Sequence, residues 1–159
     1  MTKSPSPLVG TTAERVAALT SENPYLTSQP KPRLLIVGAG MMGREHLRVS
    51  QLLGWADVQG IVDPDGGSLE WACSDWRLLT KAPLTIYRDL SEACLDDAVD
   101  AIVIATPNHT HRDVLHAVAA SHKPVLLEKP MATTLADAMD IVHLARDYPA
   151  AIQLGMQYR

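Results

Sequence analysis

Residues 34–43 read Leu34-Leu35-Ile36-Val37-Gly38-Ala39-Gly40-Met41-Met42-Gly43, four aliphatic positions followed by glycines spaced as GxGxxG. The aliphatic run predicts a buried strand, and the pattern over 41–53 predicts a helix, so the glycines stand where a strand turns sharply into a helix. Each glycine has its own reason to be there. Gly38 permits the tight turn, Gly40 lets an anionic group approach the backbone with no Cβ in the way, and Gly43 lets the helix pack close to the strand. Unpaired N–H groups at the helix start, at the positive end of its macrodipole, then favour a diphosphate. A ligand-free glycine turn would have the same six residues, so the reading depends on the residues beyond the helix.

Asp63 closes the next apolar run, GIVD, 20 residues after Gly43. A carboxylate there accepts both hydroxyls of an adenosine ribose and repels a 2′-phosphate. Pro64, Asp65 and Gly66 come next rather than a cation, which predicts NAD in preference to NADP. A methyltransferase using S-adenosylmethionine has a similar layout. Such enzymes usually place an acidic residue just before the glycine loop, where this chain has Arg33 and four aliphatic residues.

Outward from this unit, short aliphatic runs alternate with helical patterns, the signature of successive βαβ units and a parallel sheet. Strands are predicted over 34–37, 58–62, 84–87, 101–105, 125–127 and 151–154. The fourth, AIVIA, is apolar throughout and therefore predicted mid-sheet, covered on both faces. Helices are predicted over 41–53, 69–79, 91–95, 110–121 and 135–147. Thr110 with Asp113, and Thr134 with Asp137, have capping-box spacing. The fold class is α/β, a doubly wound, six-stranded parallel sheet.

The 159 residues are 47% hydrophobic and 20% charged with a net charge of −4, the balance of one folded soluble domain rather than a disordered chain. The absence of a basic stripe argues against nucleic acid, and the absence of a long apolar run argues against a membrane. No apolar leader follows Met1, so the expected compartment is the cytoplasm. Cys73 and Cys94 have no CxxC spacing and read as two buried thiols, not a metal site. Residues 1–32 hold five of the eleven prolines and read as an extended, disordered arm, with a capping-box spacing at Thr11 and Glu14. The dinucleotide-binding domain is expected over 33–159.

Two further motifs come directly after predicted strands, Thr106-Pro107-Asn108-His109-Thr110-His111 and Glu128-Lys129-Pro130. Ligands in open α/β sheets bind beyond the carboxyl ends of strands, so these loops and the glycine turn are expected to converge on one cleft. His109 and His111 lack a third ligand at suitable spacing, and capping or cofactor contact is preferred to a metal. Trp55, Trp71 and Trp76 read as packing residues, and His116, His122 and His143 as solvated helix residues. His46, on the first helix, reads equally well as packed or functional.

Taken together, GAGMMGREHL, IVDPD, ATPNHTH, LLEKPMATT and QLGMQYR resemble the Gfo/Idh/MocA family of NAD(P)-dependent oxidoreductases over residues 33–159. The resemblance implies a Rossmann domain that binds NAD, in enzymes moving hydride between nicotinamide and a hydroxyl of a sugar, cyclitol or related polyol. It implies that Gly38, Gly40, Met41, Met42 and Gly43 cradle the diphosphate and Asp63 the adenosine ribose. Thr106, Pro107, Asn108 and His109 would line the centre of the cofactor and its nicotinamide ribose, with Glu128 alongside. Lys129 would contact the cofactor at the nicotinamide ribose and also reach the substrate hydroxyl as the catalytic residue, assisting proton transfer, and the Lys129–Pro130 bond would be cis. The family continues into a second α/β domain that carries the remaining acid/base residues, and full-length members are expected to be homo-oligomers. Neither acid/base residue has a counterpart before Arg159, so these residues alone are expected to bind cofactor without turnover. The alternative is a stand-alone NAD-binding or sensing module.

Overall fold

A computed structural model describes residues 30–156; the predicted arm up to residue 29, with Thr11 and Glu14, and the last three residues lie outside them. The strands are β1 (Arg33–Val37), β2 (Asp57–Val62), β3 (Thr85–Tyr87), β4 (Ala101–Ile104), β5 (Val125–Glu128) and β6 (Ile152–Gly155). They pair in the order β3-β2-β1-β4-β5-β6, every pair parallel. AIVI is central, as its uninterrupted apolar run requires. Register aligns the carboxyl ends: Val37 lies beside Val62 and Ile104, and Leu127 beside Ile104 and Leu154. Gly38, Asp63, Ala105 and Glu128 therefore emerge along one edge, and the strand order reverses between β1 and β4, where such sheets open a crevice.

The helices are α1 (Met41–Leu53), α2 (Gly66–Leu79), α3 (Leu90–Leu95), α4 (His111–Val118) and α5 (Leu135–Asp147). Successive strand residues point to opposite faces, and the core divides accordingly. Leu35, Ile102 and Ile104 pack with Ala93 and Cys94 of α3, Leu115 of α4 and Ile141 of α5. Ile36, Ile61 and Val103 pack with Leu47 of α1 and with Ala72 and Trp76 of α2. Each wholly buried Leu or Ile contributes about 1.5–3 kcal/mol of apolar transfer, so helices are held on both faces of the sheet.

Local chemistry fixes the helix ends. Gly54, left-handed at φ 64°, ends α1, its N–H donating to Ser50 O. The Asp65 side chain accepts from Ser68 N, so α2 begins three residues earlier than its apolar pattern predicts. Thr134 caps α5 by accepting from Asp137 N, in agreement with its spacing. Thr110 does not cap α4. Its hydroxyl donates instead to Pro107 O at 2.7 Å and lies 2.9 Å from Thr106 Oγ1, because a short 3-10 turn over Asn108–Thr110 precedes the helix.

Three other expectations change. Of the two thiols, Cys94 is buried and Cys73 only half-buried; burial pushes the Cys94 thiol up to about 11. Trp76 packs inside, its indole N–H donating to Ala82 O at 2.8 Å, but Trp71 is 65% exposed, with the Arg44 guanidinium 5.7 Å from its ring centroid. His122 adopts a left-handed φ of 54° at the end of a turn rather than lying within a helix. Among the described residues no helix is long and apolar enough to cross a membrane.

Candidate functional site

The glycine turn has the geometry that its spacing demands. Gly38 has φ +101°, and a Cβ on it would lie 2.7 Å from Ala105 O. A Cβ on Gly43 would lie 1.8 Å from Gly38 O, so only a bare Cα lets α1 pack against β1. Gly40 differs: a Cβ there would meet nothing within 4 Å. Gly40 is also the N-cap of α1, with no side chain capping it and no acidic residue in the first turn. The helix start thus faces open space with its N–H groups uncompensated, the arrangement that binds anionic phosphates.

That open space belongs to a cleft of about 820 Å³ at the switch point, lined by Gly38, Gly40, Met41 and Met42, by Asp63, and by Thr106 and Pro107. Asp63 is bound to the turn itself, accepting from Ala39 N at 2.6 Å through Oδ2 and from Asp65 N at 2.8 Å through Oδ1. Those bonds use one acceptor site on each oxygen, and a carboxylate has about four. The side chain is fixed in direction and retains capacity for ribose hydroxyls. Leu90 and Val114 add an apolar wall. The residues present therefore fit a dinucleotide: an uncapped helix start for the diphosphate, a fixed carboxylate for the ribose and apolar surface for the rings.

Sequence neighbours of Asp63 carry no cation, but the fold brings Arg88 to the same cleft, with Ser68 and Asp65. The lack of a cation directly after Asp63 in the sequence thus does not extend to the cleft as a whole. Spacing from Asp63 could not show this, whereas position does: Arg88 immediately follows β3 on the same carboxyl edge. Hydrogen bonding from the Ser68 side chain and backbone holds the Asp65 carboxyl below its ordinary range, and with Asp63 and Asp89 the cleft lining has three fixed carboxylates against the one arginine.

The other predicted residues lie around the next strand ends. Gly43 serves packing and does not line the cleft, and Asn108, His109, Glu128 and Lys129 are also outside its lining. Asn108, His109 and Lys129 are exposed. Glu128 is 7% exposed; its Oε1 lies 2.9 Å from His46 Nε2 and its Oε2 accepts from Lys129 N at 3.1 Å. The Lys129–Pro130 bond is cis, as expected. His111 is wholly buried, its ring nitrogens 3.1 Å from Thr106 O and 3.0 Å from Pro130 O. The two rings of the HxH spacing are placed differently: His109 is exposed and His111 faces two carbonyls. No metal-binding group of three or more side chains occurs among the described residues.

Comparison with known proteins agrees with this geometry. The model of an oxidoreductase family, Gfo/Idh/MocA, with an NAD-binding Rossmann fold matches residues 32–156. Inositol 2-dehydrogenase of Leifsonia xyli subsp. xyli is 36% identical over 138 residues, covering 84% of this chain and 38% of that protein. The rhizopine catabolism protein MocA of Rhizobium meliloti is 32% identical over 124 residues, 77% of this chain and 37% of the relative. Among solved structures, myo-inositol dehydrogenase from Lactobacillus casei in complex with NAD(H) and myo-inositol superimposes with a TM-score of 0.68 at 27% identity, covering 79% of this chain and 37% of that one. The chain spans a little over a third of the length of these relatives. A glycine turn, a fixed acidic residue and a switch-point cleft in a 3-2-1-4-5-6 sheet, matched by the family model over nearly all the described residues, place this chain in the Gfo/Idh/MocA oxidoreductase family as an NAD-binding Rossmann domain.

Proposed function

We propose that this chain is the cofactor-binding part of an NAD-dependent dehydrogenase that oxidises a hydroxyl of inositol, a related cyclitol or a sugar. The observation that carries the reading is the cleft at the switch point, lined by both the uncapped start of α1 and Asp63. Bound nicotinamide supplies the hydride acceptor. The chain's own residues do the rest. Gly38, Gly40, Met41 and Met42 hold the diphosphate through backbone N–H groups, and Asp63 accepts from the adenosine ribose. Thr106 and Pro107 bound the central part of the cofactor, with Asn108 and His109 towards the nicotinamide ribose. Lys129 follows the strand next to β4 and carries an exposed ammonium. There it would stabilise negative charge on the substrate oxygen and take part in moving its proton, with Glu128 beside the cofactor. Inositol enters the proposal because proteins similar to this chain include inositol dehydrogenases.

NAD is favoured over NADP by charge. A 2′-phosphate would face Asp63 and Asp65, with only Arg88 of opposite sign lining the cleft. For these 159 residues alone we propose binding without turnover, since their match to the relatives covers only a little over a third of a dehydrogenase. Calorimetry tests the reading: NADH should give saturable heat at micromolar protein, with NADPH weaker. A folded sample that gives no heat with NADH overturns it, and tighter NADPH overturns the choice of NAD. Incubation with NAD and myo-inositol should leave absorbance at 340 nm flat.

A further inference from the structure

We infer that His111 and His46 are positioning residues that fix the Glu128-Lys129-Pro130 turn, and through it Lys129, against the loop that begins at Thr106. The inference rests on the proposed role of Lys129 and assigns the two imidazoles that hold its backbone. His111 sits in α4 with no exposed surface, beside Leu115 and Val118, which are equally buried. A polar ring in such a place is tolerated when its N–H is matched. Its nitrogens lie 3.1 Å from Thr106 O and 3.0 Å from Pro130 O; both carbonyls only accept, so the single N–H of a neutral ring donates to one of them and the ring packs against the other. The two carbonyls belong to loops leaving the neighbouring strands β4 and β5. One side chain thus joins the cleft wall to the turn that carries the lysine.

His46 acts from the opposite side. It projects from α1, Nε2 lying 2.9 Å from Glu128 Oε1, while Glu128 Oε2 accepts from Lys129 N. With 7% of Glu128 exposed, its carboxylate is held by the imidazole and in turn holds the lysine amide. The backbone is therefore fixed on both sides of Lys129, at its own N–H and at the carbonyl of the next residue. Its side chain is left exposed. A group held in direction at the backbone and free at its tip suits a lysine that must meet a bound substrate.

The test uses the full chain and the variants His111→Leu, His111→Gln and His46→Leu, with backbone order parameters and paired affinities for NADH and ADP. In His111→Leu the amides of Lys129 and Thr106 should fall from the rigid range, about 0.85, to below about 0.6, with Gly38 to Gly43 unchanged. NADH should bind about tenfold more weakly, an effect of about 1.4 kcal/mol. ADP, which lacks the nicotinamide half, should stay within about twofold. His111→Gln keeps a donor and should fall between wild type and His111→Leu, and His46→Leu should loosen Lys129 alone. If His111→Leu does not fold, the other two variants decide. Unchanged order at Lys129 in folded variants, or equal weakening of NADH and ADP, overturns the inference. A wild-type chain that binds no NADH, with Lys129 loosened in the variants, would refute the cofactor reading and leave the positioning role standing.

Discussion

Gly40 and Gly43 stand three positions apart in one turn, yet the fold makes opposite demands on them. Around Gly43 a Cβ would meet Gly38 O at 1.8 Å, whereas around Gly40 it would meet nothing within 4 Å. Gly40 is also the N-cap of α1, a position where Asp is among the preferred residues. Gly40→Asp should therefore fold normally, with a melting temperature unchanged or slightly raised. NADH binding should nevertheless be lost, because a carboxylate would occupy the space and field meant for the diphosphate. Gly43→Ala should do the reverse of a clean binding defect, costing about 3 kcal/mol of stability because the clash is with backbone. Melting curves and calorimetry on the two variants separate these effects, and a folded Gly40→Asp that still binds NADH would sink the assignment of Gly40 to the diphosphate.

Thr134 and Thr110 present the same sequence signal, a hydroxyl three residues before an aspartate, and the elements treat them differently. Thr134 accepts from Asp137 N at 3.1 Å and donates to Asp137 Oδ2 at 2.7 Å, closing the first turn of α5. Thr134→Ala should cost about 1 kcal/mol, a few degrees of melting temperature, with NADH affinity unchanged because α5 starts away from the cleft lining. Thr134→Ser should recover most of it. Thr110 ties its hydroxyl to Thr106 and Pro107, both of which line the cleft. A capping spacing reports that a helix begins nearby; which backbone groups the hydroxyl reaches depends on the entering turn, here a 3-10 segment that the sequence pattern does not distinguish from helix.

Across the whole molecule, legibility tracks the range of the interactions involved. Among the described residues all six strands and five helices could be read from the sequence, because alternating aliphatic runs and helical periods are local, and the glycine turn and Asp63 could be read because their spacing is set by one βαβ unit. Arg88 owes its place in the cleft to register between strands far apart in sequence, so no local pattern announced it, and the partners of His46 and His111, residues of the Glu128-Lys129-Pro130 turn among them, were hidden for the same reason. Register also divides the molecule into two edges. The carboxyl edge carries the cleft, and the opposite edge carries a fastening: Arg33, first residue of β1, donates from Nε and a terminal guanidinium nitrogen to the two Asp100 oxygens at 2.9 Å, just before β4. Hydrogen bonds from the Arg33 side chain hold the Asp100 carboxyl down to about 2. A depressed carboxyl contributes stability that is present above its ordinary value and lost as pH falls through the folded one. The difference in melting temperature between wild type and Asp100→Asn should therefore be constant above about pH 5 and close as the pH approaches 2. At neutral pH Asp100→Asn should leave the NADH affinity of wild type intact, because the fastening and the cleft lie at opposite ends of the same strands. A difference that persists unchanged at pH 2, or a variant with impaired NADH binding, would contradict this division of the sheet into a binding edge and a fastening edge.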